Sequence, residues 1–233
     1  MTGSRGWVLR RRVKIPAMPQ APSPRTEVRR LPERSSYDRE LIESILDEAL
    51  ICHVGFIHEG VPVVIPTNHA RIGDTLYLHG SPASRMLRTM KNGDQVCVNV
   101  TLIDGLVVAR AAFHNSMNYR SVVIFGEPRV VDDPDEQSAA LRAITEHVLP
   151  GRWADSRPMT DKESNGTLVV ALSIAEASAK TRSGGPGDDD EDYTLPIWAG
   201  VLPLSLSPAE PIDDPRLEVN VDVPSYVEDY RRP

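Results

Sequence analysis

Cysteine is nearly absent: only Cys52 and Cys97 occur in 233 residues, each inside an apolar run. A disulfide scaffold is therefore excluded, and a reducing, cytoplasmic setting is expected. Also missing is any apolar stretch near the ~20 residues that a bilayer span requires. The N-terminal MTGSRGWVLRRRVKIPAMPQAPSPR is basic but lacks the apolar centre of a signal peptide. There is no excess of positive charge either. Lys and Arg total 26 against 33 acids, a net charge of -7, which argues against nucleic acid as the main partner. Several motifs are lacking as well. Without HExxH, CxxC or paired Cys/His spacing no metal site is expected, and without GxSxG, a P-loop or GxGxxG the hydrolase, nucleotide triphosphatase and Rossmann classes lose support. The GGPG at 184–187 runs into acids that would repel phosphate.

What is present divides the chain in three. Residues 1–30 mix Arg with four prolines and show no period, the texture of a flexible tail. Residues 31–204 hold the periodic segments, and 205–233 form a Pro-rich tail suited to wrapping the surface or a partner subunit. SSYDRELIESILDEAL places Leu41, Ile42, Ile45, Leu46 and Leu50 on one helical face. Ser35 with Asp38 resembles a capping box. A second helix is expected from Pro134 to Val148. Between and after them lie ICHVGFI, PVVIPTN, TLYLH, QVCVNVTLI, LVVARAAF, YRSVVIFGEPRVV and TLVVALSI, short β-rich runs separated by turns. Their spacing predicts a mainly β antiparallel barrel with peripheral helices. RSGGPGDDDED at 182–192 reads as a solvated loop.

Two segments carry candidate chemistry. In LYLHGSPASRMLR, Ser81-Pro82 suits a helix start, so an ordinary cap explains it. The same helix start would also hold an anion, with Ser81, Ser84 and Arg85 as further donors. FHNSMNYRSVV crowds His114, Asn118, Tyr119, Arg120 and Ser121 before an apolar strand, either as an exposed loop or as the wall of a polar pocket.

The strings LYLHGSPASRML, IDGLVVARAAFHNSMNYRSVV and DEDYTLPIWAGVLPL resemble one branch of the pyridoxamine 5′-phosphate oxidase-like proteins, related to nitroimidazole-resistance reductases. The resemblance spans about residues 30 to 204. It implies a six-stranded Greek-key split barrel that forms a homodimer and binds FMN in the groove between subunits. By that likeness His79, Ser81, Ser84 and Arg85 would meet the FMN phosphate and ribityl end. Pro66, Thr67 and Asn68 would run along the ring edge. Asn118, Tyr119, Arg120 and Ser121 would complete the pocket, and Trp198 would approach from the partner subunit. The family carries an aromatic residue near position 69, where this chain has His69.

Hydride or electron transfer would then belong to the flavin. His69 and His114 are the candidates for an acid or base. The implied activity is a reductase with a nicotinamide donor, or an oxidase, acting on a small molecule. The rival readings are a flavin-binding module without catalysis and a haem-binding split barrel, with His69 or His114 as axial ligand.

Overall fold

The structure, a computed structural model, describes residues 20–218 and 221–231. The first 19 residues of the expected basic tail lie outside the described residues. In chain order the elements are β1 (Ser35–Ser36), α1 (Arg39–Glu48), β2 (Ile51–His58), β3 (Val61–Asn68), β4 (Ala70–Ile72), β5 (Thr75–Gly80) and α2 (Arg85–Lys91). Then come β6 (Val96–Val108), β7 (Ser116–Gly126), β8 (Arg129–Val130), α3 (Pro134–Val148) and α4 (Asp161–Asn165). β9 (Leu168–Ser173), β10 (Ala177–Arg182), β11 (Gly200–Pro203) and α5 (Ser225–Glu228) complete the fold.

All strand pairs are antiparallel. One sheet has the order β1-β10-β7-β6-β2-β3, with β11 also pairing β6, and the other the order β4-β5-β9-β8. This is the expected antiparallel split barrel, but the two sheets do not close on each other. Among the described residues it has eleven strands, several of them only two to four residues long. The runs QVCVNVTLI and LVVARAAF are not two strands. They join in β6, whose register against β7 shifts between Ile103 and Gly105. A bulge there lets one strand pair β2 with its first half and β11 with its second.

The alternation in β2 explains the main core. Cys52, Val54 and Phe56 point inward with Val98, Val100, Val122 and Ile124 from β6 and β7. α1 closes this core with Ile42, Ile45 and Leu46, and α2 with Met86, Leu87 and Met90. Each fully buried Leu or Ile contributes about 1.5–3 kcal/mol. β5 shows the same logic twice. Leu76 and Leu78 enter the main core, while Tyr77 faces Ala140, Leu141 and Ile144 of α3 in a second cluster.

α1 starts three residues later than its sequence suggests. Asp38 is its cap, accepting from Leu41 N at 2.9 Å, because Ser35 is already paired with Lys180 in β1. α3 has the expected bounds, with Asp133 capping and Pro134 in its first turn. From Gln20 onward the N-terminal segment lies on the barrel. Arg25 binds Glu176 (Nε to Oε2 2.8 Å) and stacks over Phe125 at 5.6 Å, and Thr26 is buried. At the other end Tyr226 covers Gly151 and donates to Asp155 Oδ2 at 2.6 Å. No helix of the described residues is long and apolar enough to cross a membrane.

The bulge needs glycine for space. A Cβ on Gly105 would lie 2.9 Å from the Leu202 carbonyl oxygen and 3.1 Å from Val201 Cγ1. Gly105→Ala is expected to force β11 from β6 and cost about 1–3 kcal/mol. Urea denaturation checks it, and an unchanged midpoint would show that β11 docks independently of the bulge.

Candidate functional site

The outer face of the seven-stranded sheet carries what β2, β3, β6 and β7 do not bury. His53 stands opposite Pro66 on one side and Asn99 on the other, and Thr101 stands opposite Ser121, which in turn faces Lys180. Asn99 donates to Val122 O at 3.1 Å and accepts from the Thr101 hydroxyl at 3.1 Å. Ser121 donates to Lys180 O at 3.1 Å. The result is a polar strip between exposed apolar side chains, with Ile57 and Val64 at one end and Ile103 and Met117 at the other. Pro66–Asn68 and Asn118–Ser121 share this sheet but stand three strand spacings apart, about 14 Å.

The expected pocket residues divide between two faces because a strand alternates. Tyr119 and Ser121 share the outer face. Asn118 and Arg120 point away from it. Asn118 donates to Gly184 O at 3.1 Å and receives a bond from Arg182. Arg120 forks onto Glu48 at the end of α1 and onto Asp104 at the β6 bulge, with Nη2 2.7 Å from Glu48 Oε1 and 2.8 Å from Asp104 Oδ1. Its bonds to Glu48, then to Asp104, hold the guanidinium still more firmly protonated. Arg120 is thus a tie between elements rather than a wall of the strip.

The corner after β5 also differs from the expected helix start. Ser84 N donates to Ser81 O at 2.9 Å and Ala83 N to Ser81 Oγ at 3.2 Å, so Ser81–Ser84 forms a turn. α2 begins at Arg85 with Ser84 as its cap residue, and the Ser84 hydroxyl makes no capping bond. Arg85 is exposed and makes no ion pair among the described residues. Hydroxyls and an uncommitted guanidinium therefore stand together, a donor set that suits phosphate oxygens.

The three candidate histidines, His79, His69 and His114, stand in different surroundings. His79 leaves β5 on the Tyr77 side, toward α3. Burial lowers its pKa, and its Nδ1 is buried with no hydrogen-bond partner in the structure. His69 is fully buried beneath α1. Its Nε2–H donates to Leu46 O at 3.0 Å, and its ring lies 5.0 Å from that of His147. The chain turns inward there between β3 and β4, which takes His69 off the open face where a ring or substrate was expected. His114 sits before β7, half-buried, with Nε2 3.5 Å from Asp189 Oδ2 and its ring edge-on to the exposed Phe113. Trp198 is 66% exposed. Its ring folds back over Gly200, 3.0 Å from where a Cβ would stand. Among the described residues no group of three or more His, Cys, Asp or Glu could hold a metal ion.

One structural residue gave no local signal. Asp188, expected in a solvated loop, has a side chain with 0% exposure. It accepts from Arg110 N at 2.9 Å, from Ala111 N at 3.3 Å and from the Arg110 guanidinium at 3.1 Å. That guanidinium also lies over the Tyr193 ring at 4.8 Å. The acidic loop is thereby anchored beside His114.

An antiparallel split barrel, with an open apolar-rimmed face and a hydroxyl-guanidinium corner, defines the class. The pyridoxamine 5′-phosphate oxidase family matches residues 38–181, and the chain belongs to that family. The structure of the flavocytochrome Anf3 from Azotobacter vinelandii is 41% identical with a TM-score of 0.86, over 92% of this chain and 100% of that one. An FAD and haem binding protein from Mycobacterium smegmatis is 36% identical with a TM-score of 0.81, over 85% and 98%. A candidate 5-nitroimidazole antibiotic resistance protein from Bacteroides thetaiotaomicron is 27% identical with a TM-score of 0.53, over 63% and 85%. No curated protein matches the sequence.

The anchor of the acidic loop titrates. Burial alone would push the Asp188 carboxyl up, but the Ala111 and Arg110 amides and the Arg110 guanidinium outweigh it and hold it below the ordinary Asp range. A depressed folded value means the anchor stabilises the loop above the unfolded Asp value of about 3.9 and weakens as pH falls through the folded value. Asp188→Asn is expected to leave the 184–194 loop open to limited proteolysis at pH 7, where the parent is protected. Equal cleavage of the two at pH 7 would show that the carboxylate is not the anchor.

Proposed function

We propose that this chain binds a flavin on the open sheet face and uses it to pass electrons to or from a small molecule. The observation that carries the reading is the Ser81–Arg85 corner, where Arg85 has no ion pair and the Ser84 hydroxyl makes no cap bond. A phosphate would meet both there. The flavin-named relatives at 41% and 36% identity support the same reading. The phosphate at this corner is the part that FMN and FAD share, and FMN is the simpler occupant.

A bound flavin supplies the hydride and single-electron chemistry of its ring. The chain's own work is to bind and orient. Arg85, with the Ser81 and Ser84 hydroxyls, anchors the phosphate end. Pro66, Thr67 and Asn68 lie along one margin of the sheet face, and Tyr119 and Ser121 along the other. The apolar rim excludes water from the space between. Ile57, Val64, Met117 and Leu202 are exposed apolar side chains of the kind a partner subunit covers. A homodimer through this face would bury them and bring Trp198 across to the other subunit's flavin. Arg120 and Asn118 act indirectly, by fixing the strand that carries Tyr119 and Ser121.

A second reading has one observation in its favour. Of the relatives described above, one is named a flavocytochrome and another an FAD and haem binding protein, so haem is proposed as an additional group. The expected acceptor or donor partners remain a small-molecule substrate and a nicotinamide electron donor.

Arg85→Ala removes a charge-assisted phosphate contact of roughly 1.5–3 kcal/mol, which weakens flavin binding about ten- to a hundredfold. Equilibrium dialysis against FMN and against FAD measures it, and heat release with chromatography reads which of the two the chain selects. Unchanged affinity for both flavins would move the phosphate away from this corner.

A further inference from the structure

We infer that His53 is the acid-base residue of the open sheet face. Its imidazole gives a proton to a small molecule as that molecule gains a hydride, and takes one back in the reverse direction. The inference rests on the flavin reading above and adds the residue of this chain that handles the proton.

β2 and β6 fill the space between the two margins of the face, β3 on one side and β7 on the other. Alternation along β2 sends Cys52, Val54 and Phe56 into the core and leaves Ile51, His53 and Ile57 exposed on the other side. His53 thus stands directly between Pro66 of β3 and Asn99 of β6, each one strand spacing of about 5 Å away. Asn99 is committed, donating to Val122 O at 3.1 Å and accepting from the Thr101 hydroxyl at 3.1 Å. His53 makes no ion pair among the described residues. A planar ring laid from the Pro66 margin to the Tyr119 margin crosses β2 and β6, and so passes over His53.

The other histidines are elsewhere. His69 and His147 each donate Nε2–H to a main-chain carbonyl, Leu46 O at 3.0 Å and Ala49 O at 2.7 Å. His79 faces α3, and burial disfavours its charged form. His114 lies in the turn before β7, beside Asp189. His58 ends β2, and the period of two puts it on the opposite side from His53. The surroundings of His53 leave its proton free to move. Its direct and diagonal neighbours are Pro66, Val64 and Asn68 of β3, and Asn99, Cys97 and Thr101 of β6. None of them is a carboxylate or a cation. Cys97 is the one that titrates, and burial pushes its thiol up, so it is neutral at pH 7.

Electron transfer on this face needs such a group. A hydride carries two electrons and one hydrogen, so a neutral acceptor that gains only a hydride is left as an anion. His53 in its charged form removes that charge. A ring N–H bond breaks, an O–H or N–H bond forms on the acceptor, and the neutral imidazole recovers a proton from water. The sum is one hydride that originates in the nicotinamide donor and one proton that passes through His53. Imidazole suits the task because it changes charge between about pH 5 and 8. The homodimer proposed above would close the face, so that bulk water does not supply the proton directly. The acceptor class follows: a carbonyl, imine or quinone that takes two electrons with a proton, rather than a carrier that takes electrons alone.

The test uses the full-length chain, with FMN and with FAD in parallel. The histidine C2–H signals are followed by proton NMR as flavin is added, with His53→Gln and His58→Gln to assign them. The His53 signal should shift and the His58 signal should stay. The flavin-loaded chain is then reduced without oxygen and reoxidised by benzoquinone in a stopped-flow instrument. The parent's rate should fall as pH rises from about 5 to 8, because the imidazole must be protonated to give its proton. His53→Gln should be slower by about a hundredfold or more at the low end of that range and lose the pH dependence. In His53→Ala added imidazole should restore the rate. The NMR shift is read on the parent, so it decides the matter even where a variant fails to fold. A parent that takes up neither flavin would overturn the flavin reading, and His53 with it. A parent that binds flavin while the His53 signal stays still would overturn the place of His53 alone. A His53→Gln chain that keeps the parent's rate and pH profile would overturn its proton role.

Discussion

The arrangement of this molecule depends on one guanidinium. Arg120 is held between Glu48, the last residue of α1, and Asp104, at the bulge of β6. Without it two carboxylates would stand close together at the point where a helix, a bulged strand and β7 converge. A planar fork gives each carboxylate its own pair of N–H donors, which a lysine's compact ammonium cannot do. The position is partly open to water, with 30% of the Arg120 side chain exposed, so the pair energy is screened. Its importance is geometric: it fixes where β6 stops pairing β2 and begins pairing β11.

That placement sets everything beyond it. The bulge lets β6 carry β11, and β11 follows the segment that bears Trp198. Next to it on β7, alternation puts Tyr119 and Ser121 on the outer face and leaves Arg120 and Asn118 as fasteners. Asn118 in turn holds Gly184 O, at the head of the acidic loop that Asp188 anchors to Arg110 and Ala111. Polar residues that look like one pocket in the sequence are therefore two groups. One lines the face and the other locks the strands that form it.

The sequence makes local structure legible where the cause is local. Helix periodicity and Pro134 identified α3 with its observed bounds, and the β-branched runs identified most long strands. The misses share a cause of another kind. Ser35 is lost as a cap to a strand pair with Lys180, far along the chain. Asp188 is buried through Arg110, 78 residues away, while its neighbours make it look like part of a solvated charge run. β10, the strand ASAKTR, carries small and polar residues, and only its place between β1 and β7 makes it a strand. For the candidate site the residue types were legible and their directions were not. A period of two says that His79 and Leu78 face opposite ways, but not which side holds the core.

Charge pairing bears on the corner where a phosphate is proposed. The chain is acidic overall, at -7, and many of its arginines have carboxylate partners: Arg39 with Glu43, Arg71 with Asp47, Arg129 with Glu136 and Arg157 with Glu163. Such pairing consumes the donors that an anion would need, and it places a carboxylate where the anion would sit. Arg85 escapes because the turn before it, Ser81–Ser84, has hydroxyls in place of acids, and α2 has no acid in its first turn. Other described arginines, Arg88 and Arg142 among them, also lack an ion pair, so it is the neighbouring Ser81 and Ser84 hydroxyls that set the Arg85 corner apart.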